Sequence, residues 1–371
     1  MSTAGAPGAT AGLKNGRRRG ARELLRRNRR AISIVAFVLV AVCVVYFVLP
    51  QISGLSGTLW RLRHADPWWI AAAVGLETIS LAGYGLLFRT VFSCHGVRIG
   101  WRESYQITLA GTVASKVLTT AGAGSVALTA WALRASGLSP RAIARRMLSF
   151  EMLRYFVFAG ALLLVGIGLR THVLAGRSPW TLTVVPAAGA GIAIVLIASL
   201  RALPRRFEQA IASGANSEHL VPRLLAHLAA APRTLREASA VVSQLIGAKQ
   251  LGLFGAVIYW GFDIATLWAA LHAFGAPPPT GAIVMAYLIG QLANVLPLPG
   301  GVGGVEGGMI GGLLAFGTQG SLAVLGVLAY RLIAFWLPTL PGGIAYLRLR
   351  RTVGRWRELE SPSVSAPSPS S

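Results

Sequence analysis

Seven ionisable side chains stand in or beside stretches that are otherwise apolar: Glu77, Lys116, Glu151, Arg154, Asp263, Glu306 and Arg331. A Lys, Arg or Asp at the centre of a membrane helix costs about 2.5–3.5 kcal/mol on insertion scales. Such groups are therefore expected to face a cavity or one another. Two of them flank breaks in the apolar pattern. Glu306 follows PLPGGVGG (297–304), and Lys116 precedes TTAGAGS (119–125). Proline lacks the amide donor and clashes with the preceding turn, and each helical glycine adds about 1 kcal/mol relative to alanine. In lipid, backbone freed in this way is tolerated only where protein or water satisfies it. Glycine-broken helices carrying charge near the bilayer midplane point to a transporter's substrate site. The chemistry expected is recognition of a charged headgroup or solute.

Within that site each residue has a role and a plainer alternative. Lys116 is expected to hold a headgroup phosphate, with Gly122 and Gly124 shaping a half-helix start whose amides favour anions; the alternative is that Lys116 only neutralises Glu306. Pro299, Gly300 and Gly301 form the second break beside Glu306. Arg331 is the next phosphate ligand, or else a buried partner of Asp263 or Glu306. Asp263, within YWGFDIATLW, carries a coupling proton or serves as a structural partner. Glu151 and Arg154 are three residues apart and suit a local helix pair. Glu77 has no assigned role.

Enzymatic signatures are missing from the pattern. GGVGGVEGG lacks the Gly-Lys-Ser/Thr of a phosphate-binding loop. The six histidines have no metal-ligand spacing, and the two cysteines, Cys43 and Cys94, imply neither a disulfide framework nor a thiolate metal site. No cofactor is expected.

The elements that must position these residues follow from composition. The chain has 371 residues, 54% hydrophobic and 13% charged, against about 25% charged in soluble domains; the reading is an all-α polytopic membrane protein. The net charge of +23 does not imply nucleic acid, because the basic residues concentrate in segments that fall on one side of the membrane, where anionic lipid headgroups attract them. Residues 1–30 form a basic cytoplasmic tail. The apolar run from Ala31 to Leu49 exceeds a signal-peptide core and reads as the first anchor. Full spans are expected near 31–50, 67–92, 147–169, 181–200, 251–274 and 321–346. The stretches 103–136 and 281–318 read as two glycine-broken re-entrant hairpins, although full spans joined by tight turns also fit. With the N-terminus inside, the hairpins open to opposite sides, the pattern of an inverted repeat. A helix is expected at 224–246, lying along the interface or serving as a solvated connector. The membrane domain covers 31–346; residues 347–371 are basic, then Ser/Pro-rich and disordered. Both termini are placed in the cytoplasm. High arginine and alanine content suggests a bacterial source, hence an inner-membrane location.

The motif at Pro297, Pro299, Gly300, Gly301, Gly303 and Glu306, with Arg331 in the later aromatic span YRLIAFWLPTLPGG, resembles the lysylphosphatidylglycerol synthase transmembrane, flippase-like family. The resemblance covers most of residues 31–346. It implies a membrane-embedded lipid flippase built around two half-helix hairpins. The first hairpin departs from the family pattern: AGAGSVALTAWALR (121–134) carries neither proline nor acid. Larger members fuse this module to a soluble aminoacyl-transfer domain. The short stretch after Tyr346 cannot supply that activity, so a separate lipid-synthesising enzyme is an expected partner.

These readings converge on a transporter moving a phosphate-bearing lipid, either an aminoacylated phospholipid or a polyprenyl-phosphate or glycolipid carrier. The rival readings are an integral-membrane lipid-modifying enzyme and a non-transporting accessory subunit.

Overall fold

The computed structural model describes residues 65–93, 99–117, 123–202, 220–295 and 303–360, all within one compact unit, His64–Ser371. The expected first anchor at 31–50 and the tails 1–30 and 361–371 lie outside the described residues. Every regular element among those described is helical: α1 Pro67–Phe92, α2 Trp101–Val117, α3 Ala123–Ala135, α4 Pro140–Arg170, α5 Trp180–Ala202, α6 Leu220–Gly247, α7 Gly255–His272, α8 Thr280–Leu292, α9 Gly304–Ala315, α10 Gly320–Arg331 and α11 Thr339–Glu360.

Helix starts follow local chemistry. Asp66 caps α1 by accepting from Trp68 N at 2.9 Å, with Pro67 next in line. Ser139 caps α4 in the same manner, followed by Pro140. Both pairs place an acceptor at the cap and a residue with no amide to satisfy in the first turn.

Four stretches are long and apolar enough to cross a membrane: α1, α4, Trp180–Ser199 within α5, and Leu251–His272, which joins a 3₁₀ turn to α7. Val185, Ile192, Val195 and Leu196 of α5 are all exposed. An apolar face of that extent suits contact with lipid. The expected spans at 67–92, 147–169, 181–200 and 251–274 correspond to these four.

The two broken stretches appear as pairs of short helices. In the second pair α8 has 13 residues and α9 has 12, so each extends about 20 Å at ~1.5 Å per residue. The hydrocarbon core is about 30 Å thick, so neither arm crosses it alone. The first pair, α2 and α3, has 17 and 13 residues. Each pair packs arm against arm.

Small residues set these contacts. In α8 and α9, Gly290 stands against Val305 O and Met309 N, where a Cβ would fall 2.9 and 3.0 Å away, and Gly312 stands equally close to Ala286. Between α1 and α7, a Cβ on Gly255 would lie 2.5 Å from Gly83 O, and Ser80 Oγ donates to Tyr259 O at 2.9 Å. Close backbone approach of this kind drives helix association where lipid removes the hydrophobic drive.

The span expected over 321–346 is not continuous. α10 stops at Arg331, a π-helical turn occupies Leu332–Trp336, and α11 begins at Thr339. Pro338 and Pro341 cannot donate backbone hydrogen bonds, and π turns recur where a helix is interrupted at functional positions. The helix expected at 224–246 is α6. It packs along α4, and Ser149 Oγ donates to Ala238 O at 3.0 Å.

Candidate functional site

Glu306 sits in the first turn of α9. Its Oε2 accepts from the Gly303 amide at 2.8 Å, which satisfies one free donor at the helix start. Gly303 adopts φ 85°, a left-handed conformation that a side chain disfavours. That turn aims Glu306 Oε1 at α10, where Arg331 Nε donates to it at 2.6 Å. The two side chains are 19% and 16% exposed, so the pair is largely withdrawn from solvent. The guanidinium also lies 5.5 Å from the Phe335 ring centroid, within reach of a cation–π contact. The π turn after Arg331 brings Phe335 to this position.

A second polar group lies deeper. Asp263 on α7 is 6% exposed, and Tyr287 of α8 donates to its Oδ2 at 2.6 Å. Gln291 Nε2 donates to the Tyr287 oxygen at 3.1 Å and lies 3.5 Å from the Tyr330 oxygen. Asn294 Nδ2 reaches Gln291 Oε1 at 2.5 Å. Tyr330 directly precedes Arg331, so α10 contributes to both groups.

Of the residues expected at the site, Glu306 and Arg331 are joined directly, and Asp263 is connected to their helices through Tyr287, Gln291 and Tyr330. Arg331 takes Glu306 as its ion-pair partner. Lys116 lies on the last turn of α2, with its side chain outside the described set. Gly122, Pro299, Gly300 and Gly301 also lie outside the described residues. Gly124 lines a cavity of about 330 Å³ with Ala114, Trp131, Tyr346 and Arg350. Glu151 and Arg154 pair with each other, Nε to Oε2 at 3.1 Å. Glu77, left without a role by its sequence, is 4% exposed beside α7.

Tyr287, Gln291 and Asn294 were not singled out by charge. Their signal is spacing: Tyr287 and Gln291 stand one turn apart on the apolar helix α8, and Asn294 follows in the 3₁₀ turn Ala293–Val295. Among the described residues no cluster of three His, Cys, Asp or Glu is arranged to hold a metal ion. The arrangement provides a guanidinium fixed by a carboxylate and a hydrogen-bonded path from Asn294 through Gln291 and Tyr287 to Asp263.

A family model described as "Lysylphosphatidylglycerol synthase TM region" matches residues 31–342. A UPF0104 membrane protein of Methanothermobacter thermautotrophicus is 26% identical over 310 residues, covering 76% of this chain and 85% of its own length. Another alignment to a UPF0104 membrane protein of that organism is 23% identical over 342 residues, 87% of this chain and 94% of the relative. A UPF0104 membrane protein of Pyrococcus horikoshii shares 33% identity over 95 residues, a quarter of this chain (25%) and 28% of the relative. All three matches are archaeal.

Proposed function

We propose, from the premise that this chain belongs to the lysylphosphatidylglycerol synthase TM region family, that it is a membrane transporter moving a phosphate-bearing lipid between leaflets. One observation carries this reading: the Arg331–Glu306 pair at the start of α9, directly after the Pro-Gly break. A planar guanidinium matches the geometry of phosphate oxygens. Its carboxylate partner keeps it charged and oriented while no ligand is bound, and exchange of carboxylate for phosphate gives reversible capture. Lys116, at the other break, is the second phosphate ligand in this proposal.

The headgroup enters between arms too short to cross the bilayer, and its acyl chains stay in lipid. Glycines at the breaks let the arms shift for alternating access. The substrate is an aminoacylated phospholipid or a polyprenyl-phosphate or glycolipid carrier. Glu306 and Asp263 balance charge and favour a cationic headgroup. The chain resides in the cytoplasmic membrane with both termini inside, is not itself an enzyme, and receives its lipid from a separate synthesising enzyme.

The test is lipid scrambling in proteoliposomes with fluorescent anionic and aminoacylated lipids, comparing wild type with Glu306→Gln and Lys116→Ala. Headgroup-selective movement lost in both variants is the expected result. Equal movement in all three proteins overturns the site assignment. Absence of movement for every lipid class, polyprenyl phosphates included, overturns the transport reading.

A further inference from the structure

Glu77 of α1 and Asp263 of α7 come from a closely packed helix pair and are 4% and 6% exposed. Thr266, one turn beyond Asp263, lies with its hydroxyl 3.5 Å from Glu77 Oε2. Two ionised carboxylates offer only acceptors, so they can hydrogen-bond each other only when one bears a proton.

Asp263 supplies an independent sign. Tyr287 satisfies its Oδ2, while its Oδ1 is buried with no hydrogen-bond partner among the described residues. A buried acceptor left in this state is expensive. A proton on Oδ1 turns that oxygen from an unmet acceptor into a donor.

The neighbouring titratable and charged groups come from each element packed on α7. Glu77 comes from α1, Tyr287 from α8, and Tyr330 and Arg331 from α10. α7 itself adds Tyr259, and on α4 the Glu151–Arg154 pair stands behind Tyr84 and Tyr259. Arg331, the cation acting on Asp263, is bonded to Glu306.

We propose that Glu77 and Asp263 form a buried proton-binding site holding one exchangeable proton, and that Tyr287 and Gln291 transmit its loading to Asn294. Loading forms an O–H bond at Asp263 Oδ1 with a proton taken from water, and unloading returns it to water; no electrons move. An ionised carboxylate binds the Tyr287 hydroxyl more strongly than a neutral acid does. Tyr287 bonds Gln291, and Gln291 bonds the exposed Asn294. The proton site rests on its own geometry; only its coupling to lipid movement rests on the transport reading.

The test is infrared spectroscopy of the full chain in lipid nanodiscs through a pH titration. The wild type should show the carbonyl stretch of a neutral carboxylic acid, shifted on exchange into D2O. That band should vanish in Asp263→Asn and in Glu77→Gln, and move in frequency in Tyr287→Phe, which keeps both acids should either neutralised variant fail to fold. A wild type without the band at any pH at which it remains folded overturns the proposal, as does a band untouched by all three substitutions. Stabilisation by sodium that the acid variants lose, with no wild-type band, overturns it in favour of a metal cation. The band without lipid movement in proteoliposomes would sink the transport reading alone; lipid movement without the band would sink only the proton site.

Discussion

Arg331 Nε and Glu306 Oε1 meet at 2.6 Å while Glu306 Oε2 holds the Gly303 amide at 2.8 Å. One carboxylate thus starts α9 and fixes the guanidinium of α10. Removing one partner of a fully buried pair costs about 3–5 kcal/mol; with both groups partly open, about 1–3 kcal/mol is expected for Arg331→Ala. Glu306→Ala should cost at least as much, because it also loses the cap. Thermal unfolding of both single variants and the double variant in detergent measures this. Strict additivity in that cycle would show that the two residues are uncoupled.

Gly303 is the next lever. Its φ of 85° makes Gly303→Ala unfavourable by about 1–2 kcal/mol. The strain falls on the turn that presents Glu306, so lipid movement should drop more than thermal stability does. Unchanged scrambling in Gly303→Ala would detach the turn from function.

Two glycines on the paired helices α8 and α9 separate packing from propensity. Gly290→Ala pushes a methyl into Val305 O and Met309 N, an overpacking expected to cost about 1–3 kcal/mol. Gly307 has no heavy atom within 4 Å of where its Cβ would stand. Gly307→Ala should be neutral or stabilising by up to about 1 kcal/mol, since alanine is the better helix former. The melting temperature should fall in Gly290→Ala and hold or rise in Gly307→Ala.

The same contrast recurs where α11 meets α2. A Cβ on Gly342 would lie 2.7 Å from Leu109 O, whereas Gly343 has open space. Gly342→Ala should loosen α2, the helix that carries Lys116, and Gly343→Ala should not. Limited proteolysis and scrambling of both variants check the difference.

Orientation is testable by labelling in a background with Cys43 and Cys94 replaced by Ser. Val173, between α4 and α5, is 80% exposed. A membrane-impermeant maleimide should label Val173→Cys in intact cells and Arg348→Cys only after permeabilisation. The reverse pattern inverts the topology.

Much of the helix plan is legible in the sequence. Aspartate and proline at 66 and 67 mark the start of α1, and glycine-rich segments mark where the two hairpins divide. The Glu151–Arg154 pair follows from spacing alone. The interruption after Arg331 was missed because the apolar run continues through it, although Pro338 and Pro341 carried the signal. The choice of Glu306 as partner for Arg331 was open, because helix periodicity does not fix which of two distant carboxylates a guanidinium meets. Glu77 and Tyr287 became meaningful only once α1, α7 and α8 were packed together. No local pattern encodes such a meeting of three chain segments.

The 31 residues of α4 make a rod about 46 Å long at ~1.5 Å per residue, which outreaches a hydrocarbon layer of about 30 Å. About ten residues therefore project beyond the layer as a stalk. Ser149, near where that projecting length ends, ties the rod to α6, and Glu151 and Arg154 follow within the next turn and a half. α4 is helical without interruption from Pro140 to Arg170. The contact with α6 thus falls in the first third of the rod, where the projecting length meets the embedded length.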